Sequence, residues 1–257
     1  MHPVLFTIGG LTIHTYGFFV ALGFFFGILL AKSQAQKAGI DPDKIMDLSF
    51  FVLLAAIIGA RLFYVLTVPE VFIADPVEIL RIWNGGLVFY GGFIAAFIAA
   101  LIYIKKNNLL LWKTADILAP SVVLGQFFGR LGCFAAGCCY GKVCHLPWAV
   151  TFTDPKSLAP LHTSVHPTQL YSSVCDLMIF AVLIFLKKRK KYHGYLFWMY
   201  VMLYGITRFV IEMFRGDFRG DDLLGVLSIS QAIGGTLAVI AVVMLLKLSK
   251  KSKRSVP

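Results

Sequence analysis

Charge is scarce in this chain. Only 14% of its 257 residues are Asp, Glu, Lys or Arg, against about 25% in an ordinary soluble domain. No long polar stretch could fold separately, no low-complexity linker divides the sequence, and no clear internal repeat is present. These absences exclude a soluble multidomain protein and leave one transmembrane domain over 1–257 as the expectation. The opening Met1-His2-Pro3 has no basic region ahead of the first apolar run, so no cleavable signal peptide is expected. The cysteines contain neither a CxxC nor a paired Cys…His motif, which argues against a zinc site.

What the chain has instead is apolar length. Hydrophobic residues make up 58% and the mean hydropathy is +0.79. Seven runs approach the roughly 20 residues that cross a bilayer: 14–31, 48–68, 87–104, 117–136, 174–186, 195–213 and 226–246. The fifth is short unless it extends back into Gln169-Leu170-Tyr171. The formal charge of +11 becomes informative once its residues are located. Of 24 basic residues, 16 fall after the first, third, fifth and seventh runs, five in the alternate segments and three inside runs. Basic residues favour the cytoplasmic side. The expected fold is therefore an all-α, polytopic membrane protein with seven transmembrane helices, N-terminus outside and C-terminus cytoplasmic. The basic excess reports topology and attraction to the lipid bilayer, and no nucleic acid is expected as a partner.

The three arginines within runs carry the functional signal. Arg61 lies in "IIGARLFYV", Arg130 in "GQFFGRLGC" and Arg208 in "LYGITRFVIEMFRGD". Under this topology each sits about two-thirds along its helix, in the outer half. A buried membrane charge is by default a functional-site hypothesis, and snorkelling would put arginines at helix ends. Carboxylates to match them are few: Glu212 near that level, and Asp176 at the start of the fifth helix. An external anion is the simplest partner, and a guanidinium fork suits phosphate. Tyr204, Arg208, Glu212 and Arg215 share one helical face by their spacing. Glu212 either orients Arg208 toward a ligand or forms with it a self-contained pair holding helices together.

Other segments say less. "NGGLVFYGGFIAA" flanks Tyr90 with Gly-Gly pairs, which let backbones or a lipid headgroup approach closely. His14 and Tyr16, in "HTYGFF", are expected at the outer end of the first helix, as belt anchors or as site residues. His166, in the long outer loop, either binds phosphate or acts as a base, or is structural. Cys133, Cys138, Cys139 and Cys144 allow a disulfide such as Cys139–Cys144 if the compartment is oxidising, or simply small buried side chains beside glycines. An alternative function keeps the cysteines central, as a membrane thiol–disulfide oxidoreductase using Cys138, Cys139 and Cys144. Another is an anion transporter, although no charged set reaches the cytoplasmic half.

"GRLGCFAAGCCYG" (129–141) resembles the signature of bacterial phosphatidylglycerol–prolipoprotein diacylglyceryl transferases, close to G-R-x-G-N-F-x-N-x-E-x-x-G. "GARLFYV", "GGLVFYGG", "HPTQLY" and "YGITRFVIEMFRGD" resemble further family blocks in the same order, from about Tyr16 to Asp217. The resemblance implies transfer of the diacylglyceryl group of phosphatidylglycerol to the cysteine thiol of preprolipoprotein lipobox segments, with a thioether formed and glycerol phosphate released. It implies the bacterial cytoplasmic membrane, with the active site facing the outer leaflet. It implies Arg130, Arg208, Glu212, Tyr204 and Tyr90 as catalytic residues. Arg130 would bind the phosphate, with Arg61, Tyr16, His14 and His166 at the substrate, and no metal or cofactor is expected. The chain departs from the family pattern in three ways at the signature, with Cys133, Ala136 and Cys138 where many members have Asn, Asn and Glu. Tyr90 replaces the usual His. The thiol base is thus left open among Tyr90, His166, Glu212 and direct ionisation in the arginines' field.

Overall fold

The computed structural model describes residues 2–9, 11–81, 85–217 and 227–254. Helices dominate it. α1 (Thr15–Lys37), α2 (Pro42–Thr67), short α3 (Pro69–Ala74), α4 (Phe89–Lys106), α5 (Leu111–Ala136), α6 (Thr168–Lys187), α7 (Tyr195–Glu212) and α8 (Ile229–Arg254) follow in order. Six of them are long and apolar enough to span a bilayer. The seventh long helix, α7, has 18 residues and carries both Arg208 and Glu212, two charges that lower its hydropathy. This is a multi-pass helical membrane protein, compatible with seven crossings. The fifth run does extend backward: α6 begins at Thr168 and takes in Gln169, Leu170 and Tyr171.

Two small hairpins interrupt the helical pattern. β1 (Val4–Ile8) pairs antiparallel with β2 (Leu11–His14). His14 therefore ends a strand opposite Val4 rather than opening the first helix. The helix starts one residue later because Thr15 donates its backbone N–H to Pro3 and its hydroxyl to the carbonyl of His2. β3 (Val150–Thr151) pairs with β4 (Ser164–Val165) in the loop between α5 and α6.

The chain forms two compact units. One comprises residues 31–114, in which α2 and α4 pack tightly. Gly91 makes that approach feasible: a Cβ there would lie 2.2 Å from Cβ of Phe63 and 2.5 Å from the carbonyl oxygen of Gly59. α2 starts where Asp41 caps the N–H of Asp43 at 3.0 Å, with Pro42 at the first helical position. The Gly-Gly pair at 91–92 thus serves helix packing within this unit.

The other unit comprises residues 1–30 and 115–257. Its core gathers Ala119, Val123, Ile179, Leu183 and Leu196, contributed by α5, α6 and α7. α1 crosses α5 closely at Gly23 and Gly125, with Phe26 stacked on Phe128 at 5.4 Å. Asp116, buried near the start of α5, takes the role of a capping residue for α7. Its carboxylate accepts from the N–H groups of Gly194 at 2.7 Å and Phe197 at 3.0 Å, and pairs with Lys190 at 2.8 Å. Three donors compensate its desolvation. They also fix where α7 begins, and hence which of its residues reach the site.

Steric room separates two glycines in a testable way. Gly91→Leu is expected to destabilise the protein by about 1–3 kcal/mol or more through overpacking, read as a lower thermal midpoint in detergent. Gly125→Ala, whose Cβ would meet nothing closer than the Gly23 oxygen at 3.7 Å, should stay within about 0.5 kcal/mol of the parent.

Candidate active site

α5, α6 and α7 line a narrow cleft with Arg130, Ser172, Asp176, Tyr204, Arg208 and Ile211. Arg130 lies one and a half turns before the end of α5. Among the described residues no side chain hydrogen-bonds its guanidinium or ion-pairs with it. Tyr204, Cys133, Asp176 and Cys139 lie within its electrostatic reach. Asp176 is 2% exposed, and its Oδ2 has no hydrogen-bond partner. A cation and an anion thus face one cleft, each with hydrogen-bonding capacity unused.

The other charges of this unit's site are committed. Arg208 contacts Glu212 at 2.7 Å and donates from Nη2 to Ser230 Oγ of α8 at 3.0 Å. Its buried Nη1 makes no hydrogen bond, so one face of the fork remains available. Arg215 forms a bidentate pair with Asp217, both oxygens within 2.9 Å, and approaches Glu212 at 3.6 Å. Glu212 therefore sits between two guanidinium groups. The face predicted from the 4, 4 and 3 spacing is present, although α7 itself ends at Glu212 and Arg215 lies in the segment that follows.

The loop after α5 is fastened to this frame by its backbone. Gly141 donates to His166 at 2.9 Å, Lys142 to Phe214 at 2.8 Å and Gly216 to Tyr140 at 3.1 Å. Thr168 and Gln169 of α6 hold the carbonyls of Cys139 and Cys138 at 2.7 and 2.8 Å. All five cysteines are reduced. The Cys139–Cys144 disulfide considered from sequence is not formed, because Cys139 turns inward to Cys133 and Cys138, whose sulfurs lie within 4.8 Å of it. Hydrogen bonds from Cys133 and Cys138, and then Arg215, hold the Cys139 thiol well below its ordinary value. Hydrogen bonding to Cys133 and Cys139 pushes Cys138 in the opposite direction.

The remaining predicted residues divide. Tyr16, in the first turn of α1, packs against the bare backbone of Gly132 and shares the electrostatic neighbourhood of Arg130 and the three thiols. His14 is exposed on β2. His166 Nδ1 bonds Tyr171 Oη at 3.1 Å, Tyr171 Oη accepts from Trp148 Nε1 at 2.8 Å, and Phe214 packs edge-on to the imidazole. That network fixes the loop. Tyr90 is exposed in the first turn of α4, in the unit of residues 31–114.

Arg61 belongs to that same unit, where its chemistry is saturated. Nε donates to Ile79, Nη1 to Gly85 and Gly86, and Nη2 to Glu78 and Arg81, all through backbone carbonyls. An arginine has five N–H donors, and all five are used. The substrate-binding role expected for Arg61 therefore has no donor left to carry it. Gly86 makes this wrap feasible: its φ is +72°, and a Cβ would fall 2.7 Å from Arg61 Nη1.

A family model described as prolipoprotein diacylglyceryl transferase matches residues 3–247. The chain belongs to the prolipoprotein diacylglyceryl transferase family. Among relatives named phosphatidylglycerol–prolipoprotein diacylglyceryl transferase, that of Clostridium tetani is 38% identical, covering 94% of this chain and 96% of its own. That of Finegoldia magna is 37% identical over 99% of both, and that of Bacillus velezensis 32% over 96% and 92%. This is a transferase family, and the comparisons lend no support to the oxidoreductase alternative. Within this member, sequence reading noted Asp176 but did not assign it to the site. Its signal was there: an intramembrane carboxylate four residues after Ser172, on the same helical face.

Arg61 supplies a stability test. Arg61→Lys leaves several partly buried carbonyls without donors, each costing up to about 1–3 kcal/mol. A clearly lower unfolding midpoint is expected in detergent, whereas an unchanged midpoint would show that the loop does not depend on the guanidinium.

Proposed function

We propose that this protein transfers the diacylglyceryl group of phosphatidylglycerol to the lipobox cysteine of preprolipoproteins. The carrying observation is Arg130, a guanidinium facing the cleft with no ion-pair partner among the described residues. The relatives' names supply the reaction, and the site supplies a chemistry that fits it.

In that reaction the lipobox sulfur attacks the glyceryl carbon bonded to a phosphate oxygen. The C–S bond forms, the C–O bond breaks, and its electron pair leaves with glycerol phosphate. A phosphodiester becomes a monoester, so one negative charge develops on the departing group. Preorganised donors aimed at developing charge are the strongest catalytic device in such sites, and Arg130 is the group we assign to that charge. Arg208, oriented by Glu212 and Ser230, presents its remaining donor on the same cleft. Tyr204 lines it too, within electrostatic reach of both arginines.

The thiol must lose its proton, since the thiolate is the nucleophile. Asp176 is the base we assign. It lines the cleft beside Ser172, with Oδ2 buried and without a partner, while Glu212 is already shared by two arginines. We assign the cleft to the outer leaflet of the bacterial cytoplasmic membrane. Supporting this, Arg130, Ser172 and Arg208 occupy the ends of α5, α6 and α7 opposite the basic segment 187–191, and basic segments favour the cytoplasm.

Purified protein in detergent, phosphatidylglycerol and a lipobox peptide test the proposal, with thioether formation read by mass spectrometry. Arg130→Lys is expected to lower kcat about 10²- to 10³-fold, because a bidentate fork becomes a point charge. Near-normal turnover would remove Arg130 from its assigned role. Asp176→Asn should reduce kcat with little change in KM for the lipid, and abolish the acidic limb of the pH–rate profile. A retained acidic limb would assign the base elsewhere.

A further inference from the structure

Cys133, at the end of α5, is one turn beyond Arg130. Cys138 and Cys139 follow in the loop, and the reaction as proposed uses none of the three. Their sulfurs nevertheless converge, all lying within 4.8 Å of one another. Chain folding overcomes the unpromising 5, 1 spacing. Gly137, at φ +77°, turns the chain back immediately after the helix, and Cys138 Sγ returns to within 3.7 Å of the Cys133 carbonyl oxygen.

The convergence is held in place at a conformational cost. Cys139 has φ +64°, a left-handed conformation that is unfavourable for a non-glycine residue and persists only when surroundings over-determine it. Here they do, through Thr168 and Gln169 of α6 on the carbonyls of Cys139 and Cys138. No disulfide closes the group. A strained backbone that brings three thiols together without joining them suits a ligand bound by all three.

The geometry points to a three-thiolate site for a thiophilic d10 cation, Zn(II) or Cu(I), held by Sγ of Cys133, Cys138 and Cys139. Metal–sulfur bonds of about 2.3 Å need sulfurs roughly 4 Å apart, so the triangle closes by less than about 1 Å. Soft thiolate donors select such ions over Mg or Ca. Charge also fits. Three thiolates around a divalent ion leave one net negative charge, and two for a monovalent ion. Arg130 lies within electrostatic reach of Cys133, and Arg215 within reach of Cys139. The CxxC rule that argued against zinc presumes ligands from one short turn. Here a helix end and a left-handed turn supply them instead.

The test uses the full-length protein, purified reduced and metal-free in detergent. Co(II), as the spectroscopic stand-in for Zn(II), should bind at one ion per chain with a thiolate charge-transfer band. Cu(I) offered with a competing chelator forms the second arm. Serine at Cys133, Cys138 or Cys139 should each weaken the band, while Cys144→Ser and Cys175→Ser should retain it. Because a serine variant could misfold, the unmutated protein is also alkylated with and without Zn(II) or Cu(I). Bound metal should protect these three thiols and leave Cys144 and Cys175 reacting at unchanged rates. Absence of a charge-transfer band together with no protection by either metal overturns the proposal. So does protection confined to Cys144 or Cys175. Metal-binding failure leaves the transferase reading untouched, since its own test is thioether formation.

Discussion

A guanidinium within a membrane has to be answered by something, and the structure depends on how each one is answered. The cost of a charge at the centre of a membrane helix is about 2.5–3.5 kcal/mol even by permissive measures. Arg61 is answered by five contacts to backbone carbonyls. Arg208 is answered by Glu212 and Ser230. Arg130 has no such contact among the described residues. Three residues of one type at similar points along their helices therefore have three different physical states: Arg61 is saturated, Arg208 keeps one nitrogen uncommitted, and Arg130 keeps its whole fork.

The surrounding framework keeps that group incompletely answered. Asp116 sets the start of α7 from across the unit, which fixes the rotation at which Tyr204 and Arg208 present themselves. Glu212 is occupied by Arg208 and Arg215, and Asp217 by Arg215. With those carboxylates engaged, Asp176 is the carboxylate left near Arg130 among the described residues, within its electrostatic reach but not in an ion pair with it. The loop after α5 adds its own restraint: its N–H groups of Gly141 and Lys142 donate to His166 and Phe214, Gly216 donates back to Tyr140, and the side chains of Thr168 and Gln169 tie it to α6.

Much of this was legible in the sequence because membranes impose simple rules. Hydropathy located every long helix, with individual ends off by up to eight residues, and the spacing of Tyr204, Arg208, Glu212 and Arg215 found a real face. The rest depended on tertiary detail. Nothing local in "IIGARLFYV" says that its arginine will be wrapped by carbonyls from a loop 17 to 25 residues away. His14 was read as helical because its run is apolar, yet backbone pairing with Val4 claims it for a strand. The cysteine cluster was hidden for a related reason. Its assembly depends on a left-handed Cys139, a conformation that spacing rules do not anticipate.

The wrap around Arg61 has a consequence for biogenesis. As α2 leaves the ribosome its arginine is bare, because every acceptor lies further along the chain, from Glu78 to Gly86. A solitary α2 in lipid would carry five unsatisfied donors, so its stable state waits for the chain that follows it. Arg61 thus makes α2 and its acceptors from Glu78 to Gly86 one interdependent unit, in which the buried charge is answered only by chain made after it.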